Sequence, residues 1–523
     1  MSIRKHKIAG EKHSLFWLTI GLVLVSIVWI VLSMLVIPPI IENAYHNESL
    51  HFFNNLISGR ENHTVDEYLY QWNKVSWGLL TAGVLLFIPI ILIRNRIWHG
   101  RLFNVTLLRL QLINPLKINL IITTLAFLLI VYLYYFDPVG YIYFITEDYW
   151  AEYGTFSSCA ITFSLLTWSL KKHRNIRKIG FIVLALVAFF VAMEEIGWGQ
   201  RILKFKSPEF FNKHNYQSET NIHNMIYMPT HAAVGVIVLL WCTILPVLEN
   251  KLVHLRKWTD KLGVPIVPYH VWPFFFLTIF FLTFSSMSKS DEVGELFLGI
   301  ALAVLSLDLL LSGGQKIKVP HKFTAMATVA IFLYLWIITG SFITFFAIPG
   351  SVKSRMNHFA MKNFPQLGMY KQAEKVFDYI NLHPEFLTTD THLEQGRLFL
   401  KTGRHTKATA ILELSLSEQR QLKQQHPQDT ELIRKIAETQ RLLGYEEEAR
   451  HAFCEAIKID KTRLEKAVDK KVEVSIRMSL VKTFLTKGEC RAARKQISKV
   501  QSLNPNEYIL NQLNRLLNDH KCK

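Results

Sequence analysis

Nine separate runs of apolar residues, each about long enough to cross a lipid bilayer, constrain this chain more than any other feature. A bilayer core needs roughly 20 apolar residues in a helix, and an isolated segment satisfies its backbone hydrogen bonds in lipid only as a helix. We therefore predict an all-α fold that begins with a polytopic transmembrane helix bundle over residues 1–350. The predicted spans are 15–37, 76–93, 118–136, 151–170, 179–196, 228–248, 271–287, 293–312 and 324–348.

Positive charge is distributed unevenly among the loops between these runs. The loops on the side of the N-terminus hold 21 Lys and Arg residues, and the alternate loops hold 7. The positive-inside rule then predicts a cytoplasmic N-terminus in an inner or plasma membrane, with everything after residue 350 outside the cytoplasm. Because this topology explains the formal charge of +18, we do not expect nucleic-acid binding.

From residue 351 onward the sequence is polar and amphipathic, and it contains an internal repeat. Each of four glycines is followed at +2, +5 and +9 by a variable residue, an alanine and a large apolar residue. The four sets begin 35, 41 and 44 residues apart. They are Gly368, Tyr370, Ala373, Phe377; Gly403, His405, Ala408, Leu412; Gly444, Glu446, Ala449, Phe453; and Gly488, Cys490, Ala493, Ile497.

This repeat resembles the tetratricopeptide repeat (TPR), in which glycine ends the turn between two helices and alanine allows them to pack closely. The resemblance implies a TPR-like α-solenoid over residues 351–523. Such solenoids present a concave surface to a protein or peptide, and we expect a partner of that kind.

A dense polar segment, residues 194–224, separates the fifth and sixth predicted spans. Glu194 and Glu195 lie where a membrane helix should end, and charge at that depth needs a partner or a function. We predict them as catalytic groups together with Glu152 and His223. The alternative is that both lie at the headgroup level, solvated or paired with Arg201 and Lys204. The residues predicted to bind substrate, among which Arg201 would hold an anionic head group, are Trp198, Gln200, Arg201, Gln217, Asn221 and Asn224.

The same segment suggests a divalent metal site. Glu219 and His223 are four residues apart and share a face if this stretch is helical. With Glu195 they would form a ligand set suited to a zinc-like ion. No HExxH or HxH pattern supports this, and the alternative is an interfacial helix whose polar groups hold a loop in place.

A second acidic segment, residues 147–152, precedes the fourth predicted span. Asp148 and Glu152 are four residues apart and would share one helix face. They either complement the helix dipole, or Glu152 meets the paired carboxylates of the polar segment and takes part in catalysis. Asp308, near the cytoplasmic end of the eighth predicted span, is expected to pair with a loop cation.

Several of these motifs resemble the signature of a bacterial multi-pass membrane protein family. They are E-E-I-G-W-G-Q-R at 194–201, P-E-F-F at 208–211, Q-S-E-T-N-I-H-N at 217–224 and T-E-D-Y-W-A-E at 146–152. No activity is assigned to that family, so the resemblance marks positions and implies no reaction.

Three functions are compatible with these features. The first is a metal- or carboxylate-dependent hydrolase or transferase at the extracytoplasmic face, acting on a membrane lipid or a lipid-linked envelope substrate. The second is a lipid-donor glycosyltransferase with Glu42 or Asp66 as its catalytic acid, although that loop lacks a pair of adjacent acids. The third is a non-enzymatic, membrane-anchored TPR scaffold for envelope assembly.

Overall fold

The computed structural model describes five main ranges of the chain, residues 114–172, 179–200, 230–311, 324–346 and 349–503. It also describes the short pieces 207–208, 210–211, 220–222, 509–510, 512–513 and 516–517. Within these ranges the regular structure is helical throughout. The chain divides into two compact units, Met1–Val352 and Lys353–Lys523.

The described helices of the first unit follow the apolar runs. They are α1 (Pro115–Phe136), α2 (Pro138–Ile145), α3 (Trp150–Lys172), α4 (Ile179–Glu195), α5 (Thr230–Leu239), α6 (Leu245–Lys251), α7 (Val253–Leu262), α8 (Trp272–Ile279), α9 (Ser290–Leu311) and α10 (Thr324–Phe346). A π-helical turn at Leu240–Ile244 joins α5 to α6, and another at Phe280–Phe284 extends α8.

Three described helices are long and apolar enough to cross a membrane, namely Pro115–Phe136, Ala233–Lys251 and Ser290–Leu311. Each coincides with a predicted span. The apolar helix Trp272–Phe284 is shorter. The predicted spans at 15–37 and 76–93 lie outside the described residues, so the count of nine stays a prediction.

The outer surface of α1 is apolar over most of its length. Its large exposed side chains include Leu120, Ile121, Leu125, Leu128 and Leu129. An apolar surface of this extent is unusual on a protein surrounded by water and suits contact with lipid chains. The first unit is therefore a helical bundle fit for membrane association.

The centre of the first unit is the pair α3 and α9, which pack closely through glycine. A Cβ on Gly154 would lie 2.5 Å from a methyl carbon of Leu296, and one on Gly299 would lie 2.9 Å from the Cβ of Ser158. The second contact is four residues further along α3 and three residues further along α9 than the first. The two helices therefore run in the same direction. Small residues at such a crossing let two membrane helices approach closely.

Helix α3 is the least apolar of the predicted spans, yet most of its hydroxyl groups donate hydrogen bonds to carbonyl groups of the same helix. The Oγ1 of Thr155 donates to Ala151 O at 2.9 Å, and the Oγ of Ser158 donates to Gly154 O at 2.6 Å. Bonding of a hydroxyl to the carbonyl four residues earlier removes the cost of burying it. This explains how a polar run occupies the interior of the bundle.

The helix ends define two opposite ends of the first unit. At one end, Tyr141 donates through its hydroxyl to Ser288 O at 2.8 Å. At the other, the Nδ2 of Asn119 donates to His270 O at 2.6 Å. We call the first the acidic end, because it comprises residues 146–152, 194–200 and 288–295 with their clustered carboxylates.

The second unit consists of consecutive helix hairpins. Its helices are α11 (Pro349–His358), α12 (Phe364–Gln366), α13 (Tyr370–Leu382), α14 (Thr391–Lys401), α15 (His405–Gln425), α16 (Thr430–Leu442), α17 (Glu446–Glu465), α18 (Lys470–Lys487) and α19 (Cys490–Ser502). The boundary between the two units falls within α11.

The repeat spacing read from the sequence matches these hairpins. All four repeat glycines adopt a left-handed φ between 73° and 90°, and a second helix of each hairpin begins two residues later. Glycine adopts this conformation at a helix end without the penalty that a Cβ imposes. The alanines are almost fully buried, as are the large residues Phe377, Leu412, Phe453 and Ile497.

Candidate functional site

The turn that follows α4 has an unusual backbone. Gly197, Trp198 and Gly199 adopt φ values of 54°, 54° and 90°, so three consecutive residues are left-handed. Glycine tolerates this region, whereas a bulky residue there is a genuine outlier that its surroundings must hold in place. The indole of Trp198 packs edge-on against Phe190 with ring centres 5.8 Å apart, which helps to hold it.

Glu194 stabilises this turn with one oxygen and a distant segment with the other. Its Oε1 accepts a hydrogen bond from Trp198 Nε1 at 2.6 Å, and its Oε2 accepts one from the backbone N–H of Ile222 at 2.7 Å. The side chain is only 6% exposed. Both oxygens are therefore engaged by the protein itself, an arrangement that suits a positioning role.

Gln200 closes the same loop from the other side. Its Oε1 accepts hydrogen bonds from the backbone N–H of Thr220 at 2.7 Å and from the Oγ of Ser207 at 3.1 Å. Thr220 in turn donates through Oγ1 to Ser207 Oγ at 3.0 Å. Asn221, which follows Thr220, is 1% exposed. The amide oxygen of Gln200 thus holds the loop, and the segment 220–222 lies against the end of α4.

Glu195 faces a different part of the bundle from Glu194. It is half-buried, and it interacts electrostatically with the thiol of Cys159 on α3. Glu295, in the second turn of α9, interacts with the same thiol. Carboxylates of α4 and α9 therefore both lie within electrostatic range of one side chain of α3. The sequence offered a meeting of Glu152 with the paired carboxylates, but nothing in it singled out Cys159.

Glu152 lies seven residues before Cys159, so both occupy the same face of α3. Its carboxylate is buried at 7% exposure and accepts a short hydrogen bond from the backbone N–H of Asp148. Asp148 is not helical, since its φ is 65° and α3 begins only at Trp150. Asp148 and Glu152 therefore do not share a helix face as predicted, and the backbone of Asp148 instead donates to Glu152. The Oδ1 of Asp148 accepts a hydrogen bond from the hydroxyl of Tyr153 at 3.1 Å.

Backbone strain concentrates at the acidic end. In the described part of the chain, the non-glycine residues with a left-handed φ are Asp148, Trp198 and Lys289. All three lie at this end, directly beside α3, α4 and α9. Strained residues persist only where the surrounding structure determines them, and they cluster at functional sites.

Several predicted site residues lie outside the described residues, namely Arg201, Gln217, Glu219, His223 and Asn224. Two of the three proposed metal ligands are among them. Within the described ranges, no group of three or more His, Cys, Asp or Glu side chains forms a candidate metal site. The metal assignment therefore stays a prediction.

The sequence reading missed a buried contact between a histidine and a carboxylate at the end opposite the acidic end. His270 Nε2 lies 2.9 Å from Asp308 Oδ2, and both side chains are fully buried. Asp308, expected to pair with a loop cation, is thus partnered by a histidine that precedes α8. No spacing rule connects residues 38 positions apart on different elements, so only the fold reveals the pair.

No protein-family description, curated protein or solved structure matches this chain.

Proposed function

We propose that this chain is an integral membrane enzyme whose acidic end acts at the extracytoplasmic face on a lipid or lipid-linked envelope substrate. The observation that carries the proposal is the coincidence of strain and carboxylates at that end. Residues Asp148, Trp198 and Lys289 are left-handed there, and Glu195 and Glu295 both lie within electrostatic range of Cys159 on α3. Strain and grouped carboxylates are typical of sites for acid–base chemistry.

The residues take different roles in this proposal. Glu195 is the general base or acid of a hydrolase or transferase, and Glu152 is a second acid on the facing helix. Glu194 and Gln200 position the loop that carries Asn221. Arg201, outside the described residues, would bind an anionic head group.

A divalent, zinc-like ion belongs to the same proposal. Glu195 would hold it with Glu219 and His223, and the ion would supply a Lewis acid at the substrate. We expect metal analysis of the purified protein to find bound ion in the wild type and little in the Glu195→Gln, His223→Ala double variant. Equal and negligible metal in both would remove the metal from the proposal and leave carboxylate chemistry.

The enzymatic role is tested by complementation of a strain that lacks the protein, followed by lipid analysis of its envelope. We expect Glu195→Gln to accumulate the same lipid or lipid-linked species as the deletion, because loss of a general base costs about 10²–10⁴ in rate. Glu147→Gln, which removes a carboxylate at the same end, is the matched control. Full complementation by both variants would contradict an enzymatic role for Glu195.

The second unit is proposed to be a TPR-like solenoid that binds a protein or peptide partner. Four hairpins with the same glycine, alanine and large-residue spacing support this reading. Cys490 is disulfide-bonded, which supports an oxidising compartment for this unit. The disulfide fits an extracytoplasmic domain in the cell envelope.

A non-enzymatic scaffold is the second candidate, and the geometry of Glu194 favours it. Both of its oxygens bind the protein's own donors, so part of the polar segment has a structural use. A scaffold predicts that Glu195→Gln lowers stability without accumulation of any lipid species. The glycosyltransferase alternative depends on Glu42 and Asp66, which lie outside the described residues.

A further inference from the structure

Helix α7 begins directly after the apolar helix Ala233–Lys251 ends. At Leu252 the backbone leaves the helical conformation, with φ −107° and ψ 104°. The guanidinium of Arg256 ties α7 back to α6, since Nε donates to Glu249 O at 3.3 Å and Nη2 donates to Asn250 O at 3.0 Å. These carbonyls belong to the last turn of α6, so α7 is held at the level where that helix would leave the hydrocarbon core.

The other end of α7 is fixed to the start of α4. Gly263 ends α7 in a left-handed conformation with φ 66°. A Cβ on Gly180 would lie 2.3 Å from Gly263 O. The backbones of the two segments are therefore in direct contact at this point. Thr259, which is 5% exposed, donates to Glu249 Oε1 at 3.3 Å. Helix α7 therefore lies along the end of the bundle that is opposite the acidic end.

The uncovered side of this helix carries large apolar side chains beside cations. Trp258 and Val253 are each 61% exposed, and Leu252 is 50% exposed. The Nζ of Lys261 lies 5.8 Å from the centre of the Trp258 ring. Lys257 is also exposed. An exposed indole flanked by lysines at the end of a membrane helix is the composition of a helix that lies in the headgroup layer.

The positive charge of α7 and of the residues just before it favours a membrane surface that contains anionic lipids. Between Glu249 and Leu262 the chain has four Lys and Arg residues against two carboxylates. Glu249 is 4% exposed, so the charge on the outer side is mainly positive. Phosphate groups of anionic lipids accept hydrogen bonds from lysine, and basic residues near a membrane surface favour such lipids over zwitterionic ones.

We propose that α7, together with Leu252, is a membrane-surface contact that binds anionic phospholipid headgroups. Trp258, Val253 and Leu252 enter the boundary between headgroups and acyl chains. Lys257 and Lys261 contact the headgroup phosphates. The contact is independent of the chemistry at the acidic end, which lies at the other end of the same helices.

Fluorescence of the full-length protein in phosphatidylcholine vesicles tests this proposal. A minor fraction of either phosphatidylglycerol or phosphatidylcholine carries bromine on the acyl chains near the headgroup. Subtracting the signal of Trp258→Phe isolates the quenching of Trp258. We expect brominated phosphatidylglycerol to quench this component at about 30-fold lower fraction than brominated phosphatidylcholine, because two interfacial lysines each contribute about 1 kcal/mol.

The lysines are tested by the double variant Lys257→Gln, Lys261→Gln, in which the two brominated lipids should quench equally. The double variant Lys458→Gln, Lys461→Gln on α17 removes the same charge elsewhere and should keep the preference. Equal quenching by both lipids in the wild type would overturn the proposal, as would a preference that survives in the α7 variant. Absence of any quenching at Trp258 would overturn it too, and would indicate that a protein covers this surface.

Discussion

Glu194 accepts its two hydrogen bonds from groups that no sequence pattern marks as its partners. One donor is an indole four residues later, and the other is the backbone N–H of Ile222, 28 residues along the chain. The sequence identified Glu194 as a charge that needed a partner. It did not distinguish a catalytic carboxylate from one that holds a loop. Every residue except proline has a backbone N–H, so the residue type at position 222 does not identify it as a donor.

The structural role of Glu194 predicts a loss of stability in Glu194→Gln. The new amide presents an N–H group to one of the two part-buried donors, which then loses its acceptor in the protein. We expect the free energy of unfolding to fall by about 1–3 kcal/mol, measured by titration of the micelle-bound protein with a denaturing detergent. The control Glu465→Gln, at an exposed carboxylate of α17, should change it by much less. An unchanged unfolding midpoint for Glu194→Gln would contradict the positioning role.

The buried pair of His270 and Asp308 predicts strong coupling between the two side chains. Removal of one partner leaves the other polar group buried without this contact, which costs about 3–5 kcal/mol. We expect His270→Leu and Asp308→Leu each to destabilise the protein more than the double variant does. A double-mutant cycle of unfolding free energies measures the coupling. Additive losses in the double variant would mean that the two side chains do not form a pair.

Elements with strong local signals were predictable from the sequence. The helix-hairpin turns of the second unit follow from glycine at fixed spacing, because a left-handed helix end is a local requirement. The packing of α3 against α9 through Gly154 and Gly299 was not predictable, since glycine within an apolar run does not say which helix approaches it. The sequence offered a meeting of Glu152 with the paired carboxylates, but the proximity of Glu195 and Glu295 to Cys159 is apparent only in the fold.

The glycine at the third hairpin provides a test of the turn. Gly444 has φ 85°, and a Cβ there would meet no atom within 4 Å. Gly444→Ala should therefore cost about 1–2 kcal/mol through backbone strain alone, and Gly444→Asn should cost less because asparagine tolerates this conformation. Thermal unfolding of the full chain measures both. Equal stability of all three proteins would contradict the left-handed turn.

Asp460 on α17 predicts a pH dependence for the second unit. Burial raises the pKa of its carboxyl, and hydrogen bonds from Ser479 and Thr430 and the charges of Arg463 and Arg434 offset this only in part. The folded state therefore holds this proton more tightly than the unfolded state, so stability falls as the pH rises from about 4. Above the raised pKa the loss is complete.

Asp460→Asn should lack this decline, because the group that titrates is gone. Unfolding midpoints of the full chain between mildly acidic and neutral pH measure the difference between the two proteins. The exposed Glu465 on the same helix provides the control variant Glu465→Gln, which should retain the wild-type slope. If Asp460→Asn and the wild type had parallel pH profiles, the buried carboxyl would not be the source.

For the whole molecule, the proposed function requires the second unit to lie outside the cytoplasm. Two cysteines of the second unit bear on this location, one through its disulfide and the other through its accessibility to a labelling reagent. Cys490 is disulfide-bonded, and such bonds persist in oxidising compartments. Cys454 on α17 is free and exposed, whereas the free Cys159 and Cys242 are buried.

Labelling of intact spheroplasts with a membrane-impermeant maleimide tests the topology most directly. We predict that Cys454 is labelled without permeabilisation and that Cys454→Ser loses the label. Labelling of Cys454 only after the membrane is permeabilised would place the second unit in the cytoplasm and contradict the proposed extracytoplasmic function.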